Sequence, residues 1–246
     1  AHDTVMQMGS FAKGNVALAG ELVAHFDIKK LERLNETENA LDKLEGMLDN
    51  YLVKLTDQPL SSEESMRVSE LLHTLSDFER IGDYAVNVSE CAVVLHDRGL
   101  VFSPQVLEEL ECLCAAVDET LEKTLSCYRS RQRSDAVQVE PLEEVVDLMA
   151  DTLKNRHVER LKQGECTIEM GTQFLELLIH LERISDHCSN VALRIIRESS
   201  SKDDIVRIDS HTYIHSLHHG ADQEFDRLFE KYREKYYIPI KDVPQT

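Results

Sequence analysis

A glutamate and an aspartate four residues apart occur twice inside one repeated phrase, Glu79-Arg80-Ile81-Gly82-Asp83 and Glu182-Arg183-Ile184-Ser185-Asp186. On a helix such a pair shares one face about one turn apart, so both carboxylates can point at one cation. Each phrase continues to an asparagine, Asn87 and Asn190, and the offset is constant: 182 − 79 = 103 and 190 − 87 = 103. A second acidic pair precedes each phrase, Glu38 to Asp42 and Glu143 to Asp147, at an offset of 143 − 38 = 105. The constant spacing marks a duplication. Each copy presents two carboxylate pairs on two helices.

The elements that must carry these pairs are helical. Ser61 and Glu64 fit a capping box after Pro59, and Ser103-Pro104 reads as an N-cap followed by proline at the first helical position. Pro141 fits a first turn, while Pro239 and Pro244 are expected to close the chain. The apolar periodicity predicts seven helices, at about 3–26, 28–56, 62–97, 104–131, 136–163, 167–198 and 211–236. No run alternates with the period of a strand. The expected fold is all-α, a tandem duplication of a three-helix bundle with an extra C-terminal helix. Its expected parts are 1–100, 101–198, and a linker and last helix over 199–246, with Ser199 to Asp204 the most linker-like stretch.

The helical register sharpens the acidic signal. In the second helix Leu31, Leu34, Glu38, Leu41, Glu45, Leu48, Leu52 and Leu55 form a heptad seam that includes two glutamates. The third gives Val68, Leu72, Leu75, Glu79, Gly82, Val86, Ser89 and Val93, with Asp83 beside it. The second half repeats the pattern in Val139, Glu143, Val146, Ala150 and Leu153, and in Leu175, Leu178, Glu182, Ser185, Ser189, Ala192 and Ile196. Ionised carboxylates in an apolar seam are costly and repel one another, so they require arginine partners, a shared proton or a cation. Arg80 and Arg183 point about 100° away from their neighbouring glutamates and are the weaker partners. Converging oxygen ligands suit divalent and iron cations. A salt-bridged or solvent-facing acidic surface is the plain alternative.

Composition narrows the partners. Lys plus Arg number 27 against 46 Asp plus Glu, a formal net charge of −19. That opposes nucleic-acid binding, which needs clustered basic residues, and favours cations. The six cysteines, Cys91, Cys112, Cys114, Cys127, Cys166 and Cys188, form no CxxC pair and read as reduced thiols. Cys112 and Cys114 flank a single residue, a poor zinc spacing. No run approaches the ~18 apolar residues of a membrane span. The chain is helix-like almost from Ala1, which reads as a piece excised from something longer.

Other chemistry finds little support. A ferritin-like di-iron oxidase needs Glu-x-x-His pairs on facing helices, and none stands at the acidic positions. His211, His215 and His218 share a helix face beside His219 and read as a solvated or partner-contacting face. No phosphate loop or nucleophile elbow is visible, so no enzyme is expected.

The duplicated phrases, each behind its Glu-x-x-x-Asp, resemble the PhoU family over about residues 5–198. That resemblance implies tandem three-helix bundles whose acidic motifs bind multinuclear metal clusters, iron or zinc foremost, with manganese or magnesium also admissible. The implied ligands are Glu38, Asp42, Glu79 and Asp83 in the first repeat, and Glu143, Asp147, Glu182 and Asp186 in the second. Asn87 and Asn190 support the sites, and Ser185 stands where the phrase usually has glycine. The stretch Leu72-His73-Thr74-Leu75-Ser76-Asp77-Phe78-Glu79-Arg80 and the aromatic tail Phe225 to Tyr236 resemble PhoU domains fused behind bacterial sodium/phosphate cotransporters. That finer resemblance implies a non-enzymatic regulatory domain at the cytoplasmic face of the membrane, with a transporter portion in the same polypeptide and a homo-oligomer as a further partner. A free-standing PhoU-type negative regulator of phosphate ABC transport and signalling is the alternative.

Overall fold

The chain obeys its own punctuation. In a computed structural model that describes residues 1–199 and 222–241, every regular element is a helix. Asp27 caps α2 (Ile28–Thr56), which follows α1 (His2–Ala24) after a short turn. Ser61 and Glu64 form the expected reciprocal capping box on α3 (Ser62–Asp97), satisfying two otherwise orphaned donors. Ser103 caps α4 (Pro104–Ser130), with Pro104 in its first turn. A single turn, α5 (Arg133–Ala136), precedes α6 (Glu140–Gln163), and α6 ends at Gly164 with φ 73°. The expected helix from 136 is thus split: the chain restarts at Glu140, with Pro141 in the first turn, where its missing N–H costs nothing. α7 (Ile168–Ser199) completes the second trio.

The last helix departs from expectation at both ends. Asp222 caps α8 (Gln223–Tyr232), so its described part starts later than 211. The helix then widens into a π turn (Arg233–Tyr237) and continues as α9 (Ile238–Lys241) through Pro239, which does not end it. Residues 200–221 and 242–246, with the four-histidine face, most of the linker and Pro244, lie outside the described residues.

Helices α1, α2 and α3 form one three-helix bundle and α4, α6 and α7 the other, as the duplication predicts. The bundles join where α3 packs on α7 and α1 on α4, and one apolar core runs through both. Because α3 is enclosed by α1, α2 and α7, its buried stripe is wider than the expected seam and centres on Leu75, Phe78, Ile81, Ala85, Val88 and Ala92. Glu79, Val86 and Val93 are thereby left on the flank, half-buried. In α6 the expected seam is followed: Val139, Glu143, Val146, Ala150 and Leu153 are all buried. The C-terminal segment lays Leu228, Tyr232, Tyr236 and Ile240 over the second bundle, and the Cys112 thiol donates to the Tyr236 carbonyl at 3.3 Å.

Two polar clusters pin the helices, one across the bundle junction and one inside the second bundle. Asp77 on α3 accepts from Arg194 on α7 and pairs with His187 at 2.8 Å, across the bundle junction. Within the second bundle, Glu109 on α4 is 1% exposed at its side chain and holds Arg156 at 2.8 Å and Arg160 at 2.5 Å on α6. At the junction Gly9 on α1 allows close approach: an added Cβ would stand 2.6 Å from Leu125 Cδ2 on α4 and 2.9 Å from Phe78 Cζ on α3. Gly9→Ala is therefore expected to destabilise by about 1–3 kcal/mol through overpacking, despite alanine's better helix propensity, and to lower the urea midpoint.

Candidate metal centres

Each acidic cluster lies where the middle helix of a bundle crosses its last, α2 on α3 and α6 on α7. In the second repeat Glu143, Asp147 and Asp186 each offer an oxygen, and these atoms lie within 4.8 Å of one another. Glu143 is buried. Burial pushes its carboxyl well above the usual carboxylate range, and the charges of Glu140, Asp147 and Asp186 push it further. Burial, followed by Glu182 and Asp186, raises Asp147 to about 7. Its Oδ1 is buried without a hydrogen-bond partner.

The fourth expected ligand of this repeat does not join the trio. Glu182 Oε2 receives Lys154 Nζ at 2.7 Å, and the same ammonium lies 3.5 Å from Asp151. Burial is the largest single effect and works against the Lys154 charge, but the hydrogen bonds and charges of Glu182 and Asp151 together outweigh it and the ammonium pKa moves up. Arg183, from an exposed position, meets Asp186 three residues on at 3.0 Å. An exposed pair of this kind is worth about 0–1 kcal/mol and does not neutralise the cluster.

The first repeat is more open. Burial raises Glu38 to about 7, with the Asp42 and Asp83 charges adding and a hydrogen bond from Asn15 opposing. Glu79 rises to about 7 for the same first reason, then through Asp83, to which it is hydrogen-bonded, and Glu45. Asp42 is exposed, and Arg80 stays 3.7 Å from both Glu79 and Asp83. Gly82 is what lets Glu38 settle on α3: an added Cβ there would lie 2.9 Å from Glu38 Oε2 and 3.1 Å from Leu41 Cδ1. Ser185, its counterpart, is fully buried with its hydroxyl unpartnered. Asn87 is half-buried and Asn190 exposed, so neither is enclosed with the carboxylates.

Several groups at these clusters were not singled out as site residues from sequence. Asn15, 0% exposed, donates from Nδ2 to Glu38 Oε2 at 3.1 Å, while its own Oδ1 and Glu38 Oε1 lack partners. The signal was present, since Asn15 interrupts the apolar series Val5, Met8, Ala12, Ala19 and Leu22 of α1. Glu45 is raised by burial and by Asp42, Asp49 and Asp83. Glu140, buried at the end of the second cluster, accepts from Ser189. Orphaned buried oxygens among several raised carboxylates are the surroundings a hard cation would satisfy.

The comparisons with known proteins agree with this architecture. A family model described as PhoU domain matches residues 5–92 and again 110–195. The chain is 22% identical over 192 residues to the "Phosphate-specific transport system accessory protein PhoU homolog" of Clostridium acetobutylicum, covering 77% of this chain and 86% of that protein. It is 24% identical over 192 residues to the protein of the same name from Streptococcus pneumoniae, covering 78% and 85%. The crystal structure of PhoU from Pseudomonas aeruginosa superposes with a TM-score of 0.74 at 22% identity, covering 79% of this chain and 92% of that one.

These findings overturn the expectation of a regulatory domain within a sodium-dependent phosphate cotransporter, with a membrane portion in the same polypeptide. The relatives are named as accessory proteins of a transport system, and the chain aligns along most of their length. Among the described residues no helix is long and apolar enough to cross a membrane. Asp77 serves the bundle junction, and Tyr232 and Tyr236 serve helix packing. With both halves matched by the same domain model over well more than half of the sequence, the chain belongs to the PhoU family.

Proposed function

We propose that this protein is an accessory regulator of a phosphate-specific transport system and its signalling, acting without catalysis on the cytoplasmic side of the membrane. The names of its relatives support the regulatory assignment. The convergence of Glu143, Asp147 and Asp186 within 4.8 Å supports metal ions as part of how it works. Glu143, Asp147 and Asp186 would hold a cation in the second repeat, and Glu38, Asp42, Glu79 and Asp83 in the first. A bound divalent or transition cation would supply positive charge able to attract phosphate, which the bare acidic surface repels. Asn15 orients Glu38, and Gly82 gives that carboxylate room against α3.

The test is metal content by inductively coupled plasma mass spectrometry after purification without chelators, wild type beside Asp83→Ala/Asp186→Ala. Several equivalents of a transition metal in the wild type, lost in the double variant, are expected. Absence of metal from both would mean the acids are structural and share protons. Phosphate binding follows the same division: the metal-loaded form should bind it and the stripped form should not. Equal binding by both would sink the bridging role.

A further inference from the structure

The two repeats are not equivalent along their middle helices. At the offset of 105, Glu38 falls on Glu143 and Asp42 on Asp147, but Asp49 falls on Lys154 (154 − 105 = 49). The first repeat therefore has an acid where the second has a base. Among the described residues Glu79 has the exposed Arg80 at 3.7 Å as its ion-pair partner, whereas Glu182 binds Lys154 Nζ at 2.7 Å and is not among the oxygens of Glu143, Asp147 and Asp186 that gather within 4.8 Å. Independently of the acids, fully buried polar atoms stand unpartnered in both repeats: Asn15 Oδ1 beside Glu38, and the hydroxyl of Ser185, which lies in sequence between Glu182 and Asp186.

Resting on the metal reading above, we infer that Lys154 is a built-in cation of the second cluster. Its ammonium occupies the Glu182 end and keeps a metal ion away from it. An ammonium and a divalent cation compete for the same carboxylate lone pairs, and a fixed positive charge a few ångströms away repels the second ion. The second repeat thus confines its metal to Glu143, Asp147 and Asp186. The first leaves Glu79 free to act with Asp83, so the two sites differ in capacity although their motifs match. Lys154 determines that difference without being a ligand.

The experiment counts manganese(II), which favours oxygen ligands, by the electron paramagnetic resonance signal of the unbound ion. In an Asp42→Ala/Asp83→Ala background, which confines uptake to the second repeat, Lys154→Met is expected to bind about one further manganese per chain. Lys154→Arg, which keeps the charge, is expected to bind no more than the background. Equal uptake by Lys154→Met and a manganese-binding background overturns the role of Lys154 and leaves the metal reading standing. No uptake by the wild-type protein overturns both. Lys154→Met keeps most of the half-exposed stem, and should it nevertheless fail to fold, Asp49→Lys in an Asp147→Ala/Asp186→Ala background reads the same logic in reverse. That variant is expected to lose manganese from the first repeat, and unchanged uptake would overturn the inference.

Discussion

Stripped of metal, the protein should melt highest near pH 5 and lose roughly 5–10 °C by pH 8, a range set by a few kcal/mol on a chain of this size. The sign follows from the raised carboxylates. Glu38 and Glu79 stand at about 7 against an ordinary 4.5, and Asp147 at about 7 against 3.8, each chiefly because of burial. Between those limits the folded state binds more protons than the unfolded chain. Their stabilising contribution is therefore complete below the ordinary value and is lost as pH rises through 7. A fully buried group moved this far would contribute about 3–4 kcal/mol. Solvent screening at half-buried positions reduces each to a fraction of that. Glu70, raised to about 8 by burial and by its hydrogen bond to Glu198, extends the decline slightly further. A bound metal should flatten the profile, because an ion held only by the folded state stabilises it by mass action and favours the ionised form. Glu79→Gln should raise the melting temperature of the stripped protein at pH 8 while weakening metal uptake. Melting curves with and without chelator across that range decide the matter. Identical flat profiles would leave the carboxylates as ordinary surface charge.

Glu109→Ala is expected to cost about 3–5 kcal/mol, the penalty for breaking a buried ion pair while its partners stay behind. Two guanidinium groups converge on that one side chain, at 2.8 and 2.5 Å, where it has almost no contact with water. Removal leaves Arg156 and Arg160, one turn apart on α6, side by side and facing the space that Glu109 filled from α4. The measurement is the urea midpoint, with the slope checked for a change in the unfolded reference. Glu109→Leu combined with Arg156→Met should recover part of the loss, because apolar groups of similar size remove the stranded charge along with the pair. A single variant with unchanged stability would show that the triad is incidental to the bundle.

The helices were legible because their punctuation is local. Ser61 with Glu64, and Ser103 with Pro104, fix their boundaries through hydrogen bonds that span three residues. The duplication was legible because constant spacing needs no structure to detect. The exact face of α3 was not, since its stripe width depends on three neighbouring helices that the sequence of α3 does not contain. Asn15 and Lys154 escaped for a related reason. Each reaches a glutamate on a different helix, 23 and 28 residues away in sequence. The passage of the last helix through Pro239 was also hidden. Proline normally ends a helix, and only the widened turn at Arg233–Tyr237 lets the chain resume after it.

The apolar core that passes from one bundle into the other makes the halves thermodynamic partners. Neither trio can open without exposing the flank of α3 or α7 on which its twin rests, so the chain is expected to melt in one transition. Occupancy of one acidic cluster then raises the opening free energy of both. With metal held as proposed, the duplicated protein would add its two metal affinities into a single stability, and a shortage of ions at either site would be felt by the whole molecule.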